Sequence, residues 1–391
     1  MLVKNKFAFT GLSVVVAMTA VGCGSSSSST ATTAKAAATT AASATTAKAA
    51  ATTAAAAATT AAPAATTAAP AATTAAPAAG GKGGKMAILF DLKGRGDHSF
   101  NDSAAIGLDK AAKEFGYTVT EQVRAANDIA EQLKLAVDAK NTLIIGVGFA
   151  WAEEMGKSAA ANPGVKFGIV DATVDKADNV SGLVFKANEG SYLVGVAAGL
   201  KSKAKHVGFI GGVDIPLIQD FQTGFEAGVK SVNKDIVIDS KYISPAGDFS
   251  GFGDPAKAKT IALAQYTAGA DVIYHAAGGS GDGLFGAAKE YSAKGSKVWA
   301  IGVDSDQATT VNADLAPNIL TSMIKHVDVA VYQTMKDFAT GAFKGGVRVF
   351  NVKQGGLDYA TTGGFVDDIK TQLEAARADI ASGKVVVPSK S

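Results

Sequence analysis

After residue 85 the sequence alternates short apolar runs with longer stretches of helical spacing, and this alternation restricts the possible folds more than any other feature. Runs such as MAILFD (86–91), NTLIIGVG (141–148) and KVWAIGVD (297–304) are rich in aliphatic residues and nearly continuous. Runs of this kind are typical of strands that are covered on both faces. We therefore predict an α/β protein in which parallel sheets are flanked by helices.

The pattern predicts ten strands, at 86–91, 117–123, 141–148, 166–171, 181–187, 206–212, 235–243, 271–278, 297–304 and 318–325. Eight helices are predicted between or after them, at 103–115, 128–139, 152–161, 192–201, 217–232, 256–268, 282–293 and 327–340. The tail at 365–380 predicts one more helix.

Residues 86–391 are too numerous for one typical domain, so we expect two lobes of about 150 residues each. The first lobe is expected at about 86–203 with a segment after 303. The second is expected at about 204–302 with the C-terminal segment. Hinges between them are expected near Lys203, Val303 and Asn351.

The first 85 residues have two compositions, neither of which predicts a globular fold. Residues 1–23 carry lysines ahead of a short apolar run that ends in AVGC, which is the layout of a secretory signal and resembles a bacterial lipobox with Cys23 as the lipidation site. Residues 24–85 consist of Ser, Thr, Ala, Pro, Gly and scattered Lys, and we expect a disordered tether. This predicts a lipid-anchored protein on the extracytoplasmic face of a bacterial cell membrane.

Charge and cysteine content exclude several classes of function. The net charge of +2 and the absence of a basic stripe argue against nucleic acid as a partner. Cys23 is the only cysteine, and the four histidines have no metal-ligand spacing, so we predict no metal site, no cofactor and no nucleophilic catalysis.

Polar and aromatic residues follow the predicted strands at the point where each strand ends. They include Asp171, the GGSGDG stretch that begins at Gly278, the DSDQ stretch that begins at Asp304, and Lys325. Ligands of open parallel sheets bind beyond the carboxyl ends of the strands. We therefore expect these residues to line one cleft between two facing lobes.

Six sequence blocks resemble the basic membrane protein family of lipid-anchored substrate-binding proteins of ABC importers, which is related to purine nucleoside receptor lipoproteins. The blocks are GDHSFNDSA, GVGFAWAEE, VGFIGGVDIPLIQDFQTGFEAGV, DVIYHAAGGSGDG, GVDSDQ and TSMIKHVDVAVYQ. The resemblance implies a two-lobed type I periplasmic-binding-protein fold with a ligand cleft at the hinge. It also implies a nucleoside ligand, an ABC permease as partner and no enzymatic activity. We expect a monomer.

The resemblance also implies binding residues in the first lobe. Asp97 and Asn101 match residues that bond to the base, and Asp171 matches a carboxylate after the fourth strand. The family has a stacking aromatic nine residues after its Asp, and Ile106 occupies that position here. Trp151 is a further candidate for stacking.

The resemblance also implies contacts to the sugar. Asp304 and Lys325 match the pair that binds ribose hydroxyls, and Gly278 and Gly279 lack side chains that would keep a sugar away. Phe100, Phe221 and His275 join Trp151 as candidates for stacking on the base. Because Ile106 is not aromatic, the same fold binding a sugar or a free base remains an alternative, and a nucleoside-processing enzyme is a third hypothesis.

Overall fold

The computed structural model describes residues 81–125 and 128–390. The predicted signal segment, Cys23 and the predicted tether up to residue 80 lie outside these ranges. The tether was expected to reach residue 85, but the first strand begins at Gly84. Within the described residues no helix is both long enough and apolar enough to cross a membrane.

Six parallel strands form the first sheet. They are β1 (Gly84–Phe90), β2 (Tyr117–Val123), β3 (Leu143–Val147), β4 (Lys166–Val170), β5 (Val180–Phe185) and β11 (Gly346–Phe350). Their spatial order is β11-β5-β4-β3-β1-β2. The central strand β3 is buried along its whole length, as its aliphatic sequence requires, whereas the edge strands β2 and β11 carry exposed side chains.

The second sheet repeats this arrangement. It consists of β6 (His206–Val213), β7 (Val237–Ser244), β8 (Val272–Ala276), β9 (Trp299–Asp304), β10 (Ile319–Lys325) and β12 (Leu357–Tyr359). The spatial order is β12-β10-β9-β8-β6-β7, so each strand has a counterpart in the first sheet. All pairings are parallel except the one between β10 and β12.

Helices cover both sheets. The helices α1 (Phe100–Phe115), α2 (Ile129–Asp138), α3 (Ala152–Ala161) and α9 (Val327–Ala339) belong to the first lobe. The second lobe contains α4 (Ala187–Lys201), α5 (Pro216–Val232), α6 (Pro255–Thr267), α7 (Gly281–Ser292), α8 (Gln307–Thr310) and α10 (Lys370–Ala381). The predicted two-lobed α/β fold is therefore confirmed.

Every predicted strand and helix overlaps an observed element of the same type, and the predicted tail helix corresponds to α10. The strands β11 and β12 were not predicted. β12 has three residues, and β11 is an edge strand with exposed valines, so neither has the buried aliphatic run that identifies the other strands. Their pairing depends on neighbours that are distant in sequence.

The chain crosses between the lobes three times, and two of the expected hinges were wrong. The first crossing is at Lys186, because the almost wholly buried helix α4 already packs on the second sheet; Lys203 follows that helix within the same lobe. The second crossing is at His326, after β10, whereas Val303 lies inside β9. The third runs from 351 to 356 and includes the expected hinge residue Asn351.

Backbone hydrogen bonds join the three crossings to one another. The Lys186 amide donates to the Phe350 carbonyl at 2.9 Å, and the His326 amide donates to the Gly356 carbonyl at 3.1 Å. The rings of Phe185 and Phe350 stack at 4.8 Å between centroids beside the first and third crossings. The two lobes are therefore connected through one compact bundle of chain.

Glycines allow α4 and α5 to pack with their backbones in contact. A Cβ atom added at Gly195 would lie 2.3 Å from the carbonyl oxygen of Phe225, and one at Gly224 would lie 2.1 Å from that of Asn188. Real Cβ atoms do not approach backbone oxygens this closely. The two helices would have to separate to accept any side chain at these positions.

We expect the substitution Gly224→Ala to lower the free energy of unfolding by about 1–3 kcal/mol, because the new methyl group overpacks the contact between α4 and α5. Gly286→Ala is the matched control. Gly286 also lies within a helix, but an added Cβ there meets nothing within 4 Å, so alanine should be neutral or stabilising by up to about 1 kcal/mol. Urea denaturation of both variants checks this, and equal effects would contradict the proposed packing.

Candidate ligand-binding site

A cavity lies between the lobes, at the carboxyl ends of the strands. It encloses about 620 Å³, which includes solvent at its opening. The first lobe contributes the ends of β1, β3 and β4, and the second contributes α5 and the ends of β8, β9 and β10. Its charged lining residues are Asp91, Asp97, Asp171, Asp304 and Lys325, and its aromatic lining residues are Phe100, Phe149, Phe221 and Phe252.

A buried ion pair joins the lobes beside the cavity. Lys325, at the end of β10, donates from Nζ to Asp171 Oδ2 at 2.5 Å, and the two side chains are 2% and 6% exposed. The Lys325 ammonium also lies 4.8 Å from the centre of the Phe100 ring and 5.6 Å from that of Phe221. Both distances are within the range of attractive cation–π contact.

Two acidic residues occupy equivalent positions in the two lobes. Asp171 follows β4 and Asp304 ends β9, and these two strands are counterparts in their sheets. Both backbones are left-handed, with φ of +64° at Asp171 and +66° at Asp304. A residue with a side chain is strained by about 1 kcal/mol in this region, and such strain is concentrated at functional sites.

The Asp304 carboxyl is buried but incompletely paired. Its Oδ2 accepts a hydrogen bond of 2.6 Å from the Ser99 hydroxyl of the opposite lobe. Burial raises the pKa of Asp304 to about 6, while the Lys325 charge and the Ser99 bond oppose the rise. The carboxylate form is therefore held in a site that lacks enough donors to stabilise it fully, and a ligand with hydroxyl groups could supply them.

Asp97 and Asn101 both line the cavity, but their polar atoms are already hydrogen-bonded, mostly to backbone at the start of α1. The Asp97 carboxylate accepts from the backbone amides of Ser99, Asn101 and Asp102 and from Asn101 Nδ2, all within 3.1 Å. These four donors use the capacity of a carboxylate. Burial raises the pKa of Asp97, and the backbone amides oppose this. The Asn101 amide bonds to the backbone of Asp91 and Leu92 as well.

Asp91 lines the cavity, and its two carboxylate oxygens differ in their hydrogen bonds. Its Oδ1 accepts from Arg124 Nε at 2.7 Å and from the Leu92 amide at 2.7 Å, whereas Oδ2 accepts no hydrogen bond in the described part of the chain. Arg124 is 5% exposed. The buried guanidinium thus fixes one side of the Asp91 carboxylate and leaves the other side for a ligand.

Three predicted site residues lie away from the cavity, so their assignment was wrong. Ile106 is 60% exposed on the outer face of α1. Trp151 is fully buried in the core beneath α3, where its ring packs near Gly146. His275 is buried behind β8, because neighbouring strand residues point to opposite faces and Ala276 is the one that lines the cavity.

Asp91 and Phe100 both line the cavity, and they have the nine-residue separation that the family resemblance implies between an Asp and a stacking aromatic. The assignment of this separation to Asp97 and Ile106 was six residues too far along the chain. The predicted residues Phe221, Gly278 and Gly279 do line the cavity. The predicted binding residues did not include Phe149, which lies two residues after β3, or Phe252, which lies in the glycine-rich loop after β7.

The opposing loops of the two lobes are in contact across the mouth of the cavity. Lys93 Nζ lies 3.4 Å from the Gly279 carbonyl, and His98 Nδ1 lies 3.3 Å from Asp282 Oδ1. The Phe149 and Phe249 rings meet edge to face at 5.5 Å. The structure therefore describes a closed arrangement. Within residues 81–125 and 128–390, no group of three or more potential metal ligands is placed to hold an ion.

Two parallel-sheet lobes that enclose a polar and aromatic cavity define a two-lobed solute-binding protein. The sequence profile of one family, described as "ABC transporter substrate-binding protein PnrA-like", matches residues 85–391. The chain therefore belongs to this family, Bmp, as the sequence blocks predicted.

Individual relatives agree with this assignment. The chain is 38% identical over 321 residues to the "ABC transporter nucleoside-binding protein BmpA" of Lactococcus lactis, covering 78% of this chain and 89% of the relative. It is 32% identical over 300 residues to "Basic membrane protein A" of Borreliella burgdorferi, covering 75% and 84%. A solved solute-binding protein of an ABC transporter system from Aeropyrum pernix superposes with a TM-score of 0.68 at 30% identity, covering 78% and 93%.

We expect Asp304→Asn to raise the free energy of unfolding at pH 7 by roughly 2–3 kcal/mol. The folded protein binds the Asp304 proton more tightly than the unfolded chain does, because the folded-state pKa is about 6. The wild type therefore loses stability as the pH rises from about 4 to about 6, and asparagine removes that loss. Urea denaturation between pH 4 and pH 8 measures the difference. A difference that does not change with pH would contradict it.

Proposed function

We propose that the protein is the lipid-anchored, extracytoplasmic binding component of an ABC importer, and that it closes its lobes on a nucleoside and delivers it to the permease. In this proposal Cys23 carries the lipid, residues 24–80 are a tether and the protein acts as a monomer. The observation that carries the proposal is that one interlobe cavity combines aromatic rings, carboxylates with unused hydrogen-bond capacity and a paired lysine. The name of the Lactococcus relative supports the ligand class.

The sugar would be bound by Asp304 and Lys325. A carboxylate can accept hydrogen bonds from two vicinal hydroxyl groups, and charge-assisted bonds of this kind contribute about 1.5–3 kcal/mol each. Lys325 donates one ammonium N–H to Asp171 and has two more that can donate to a ligand. Gly278, whose φ is +52°, and Gly279 bring backbone close to the same region.

The base would be bound by aromatic rings and by Asp91. Phe100, Phe149, Phe221 and Phe252 supply ring surface, and stacking of a base on an aromatic ring contributes about 1–3 kcal/mol. The Asp91 Oδ2 atom would accept from a base N–H group. Asp97, whose oxygens already have four donors, and Asn101 would hold the loop that carries Phe100.

We expect adenosine, guanosine or inosine to raise the melting temperature of the full chain. A ligand at one hundred times its dissociation constant stabilises the folded state by about 2.7 kcal/mol. Scanning fluorimetry against nucleosides, free bases and ribose measures the shift, and Asp304→Ala should abolish it. A shift with ribose alone or with a free base alone would replace this proposal by the sugar or base alternative. Conversion of a nucleoside, followed by chromatography, would favour an enzyme.

The two acids of the first lobe should respond differently to substitution. In Asp91→Asn the amide oxygen can still accept from Arg124, but an NH₂ group replaces the oxygen that faces the ligand. Wild-type protein should bind inosine, which has an N1–H, more tightly than purine riboside, which has no base N–H. Asp91→Asn should lose this preference, with inosine weakened about 10-fold to 100-fold.

Asp97→Asn is the matched control for that measurement. It should lower the melting temperature, because amide donors at the start of α1 lose a charged acceptor, yet it should keep the preference for inosine. Isothermal titration calorimetry gives both affinities. Loss of the preference in Asp97→Asn, and not in Asp91→Asn, would reverse the two assigned roles.

A further inference from the structure

The turn that carries Asp304 rests on a buried amide–imidazole pair that lies outside the cavity. Gln307 is 0% exposed and His275 is 1% exposed. Gln307 Oε1 accepts the Val303 backbone amide at 2.8 Å and lies 2.9 Å from His275 Nε2. Neither residue is among those that line the cavity. Both lie in blocks that the family resemblance singled out, but the ligand contacts proposed above leave them without a role.

The hydrogen-bond chemistry fixes the orientation of both side chains. The Val303 amide can only donate, so the Gln307 atom that faces it must be the oxygen. That oxygen can only accept, so His275 must carry its proton on Nε2. His275 Nδ1 and Gln307 Nε2 have no hydrogen-bond partner among the described residues. Protonation of the ring would add a second buried N–H without an acceptor, and burial lowers the pKa of His275 to about 4.

Gln307 and His275 pack closely against two glycines. A Cβ added at Gly302 would lie 2.6 Å from Gln307 Oε1, and one at Gly281 would lie 2.1 Å from the His275 ring. The Gln307 backbone amide also donates to the Ser322 hydroxyl on β10 at 3.2 Å. Glycine at 281 and 302 is therefore what admits the pair.

Hydrogen bonds hold both the amide and the carbonyl of Val303, the residue that directly precedes Asp304. The Val303 amide donates to Gln307 Oε1, and the Val303 carbonyl accepts from the Ser305 amide at 2.8 Å. The strained left-handed backbone of Asp304 lies between these bonds. Without the Gln307 acceptor, the Val303 amide would lose this hydrogen bond, and the turn could relax to an unstrained conformation.

We propose that Gln307, oriented by neutral His275, is a positioning residue that holds Asp304 in the left-handed conformation required for binding the ligand's sugar hydroxyls. The statement that Asp304 binds sugar hydroxyls rests on the function proposed above, whereas the statement that Gln307 positions Asp304 does not. Neither residue touches the ligand. Their effect passes through the Val303 peptide to the carboxylate.

The first test needs no ligand. In full-length protein with ¹³C-labelled Asp side chains, the carboxyl signal assigned by Asp304→Asn should titrate with a pKa of about 6. The charged groups that face it are Lys325, Asp171 and Asp97. In Gln307→Met, which keeps the side-chain length but removes the acceptor, the pKa should fall towards that of a solvated Asp. His275→Phe fills the same space without the donor and should cause a smaller shift in the same direction.

Gln265→Met is the matched control. Gln265 is 1% exposed in the same lobe and bonds to the backbone of Phe209 and Asp239, but it is remote from the cavity. This variant should lose stability without any change in the Asp304 titration. An unchanged Asp304 pKa in both Gln307→Met and His275→Phe would overturn the proposal.

The second test separates positioning from a general loss of stability. We expect Gln307→Met to bind adenosine about tenfold more weakly and to bind 2′-deoxyadenosine and 3′-deoxyadenosine almost as well as the wild type does. The inosine preference assigned to Asp91 should remain. Equal weakening of adenosine and both deoxyadenosines would show that Gln307 has only a structural role. It would overturn the inference that Gln307 supports the binding of sugar hydroxyls. If wild-type protein binds no nucleoside, the proposed function fails, and the carboxyl titration still decides whether Gln307 positions Asp304.

Discussion

The buried ion pair between Lys325 and Asp171 is the interaction on which the closed arrangement depends. Each charge, taken alone, would be destabilised by several kcal/mol in a site from which water is excluded. The two residues come from different lobes, at the ends of β10 and β4, so their ion pair is a direct contact between the lobes. The aromatic rings around the ammonium restrict it further. The closed arrangement thus compensates both charges, and a ligand that adds donors and acceptors to this site favours it.

The acids of the cavity have similar sequence environments but different structural duties. Asp97 is saturated by the start of α1, Asp91 is half occupied by Arg124, and Asp304 is held by its turn with few donors. Of these three acids, Asp91 and Asp304 retain unused capacity for a ligand. This division follows from local backbone geometry, because a carboxylate beside a helix N-terminus is surrounded by amide donors that would otherwise lack partners.

The fold was largely predictable from the sequence because buried parallel strands are long aliphatic runs, and β3 and β9 illustrate this directly. The site was less predictable. Phe149 and Trp151 are two residues apart after the same strand, yet one lines the cavity and the other is core, and no local pattern distinguishes them. Adjacent His275 and Ala276 differ for the same reason, since the facing direction of a strand is set by the sheet. The hinge at His326 was missed because the connection from β10 to α9 resembles the other strand-to-helix connections of the sequence.

The three interlobe crossings, joined by backbone hydrogen bonds, determine how the molecule can move. Three short connecting segments that lie side by side can twist together, but they resist sliding and stretching. The lobes should therefore have a single easy degree of freedom, a rotation about the line through Lys186, His326 and the 351–356 segment. Displacement grows with distance from such an axis, so small angular changes there become large separations at the far rim, where Phe149 meets Phe249.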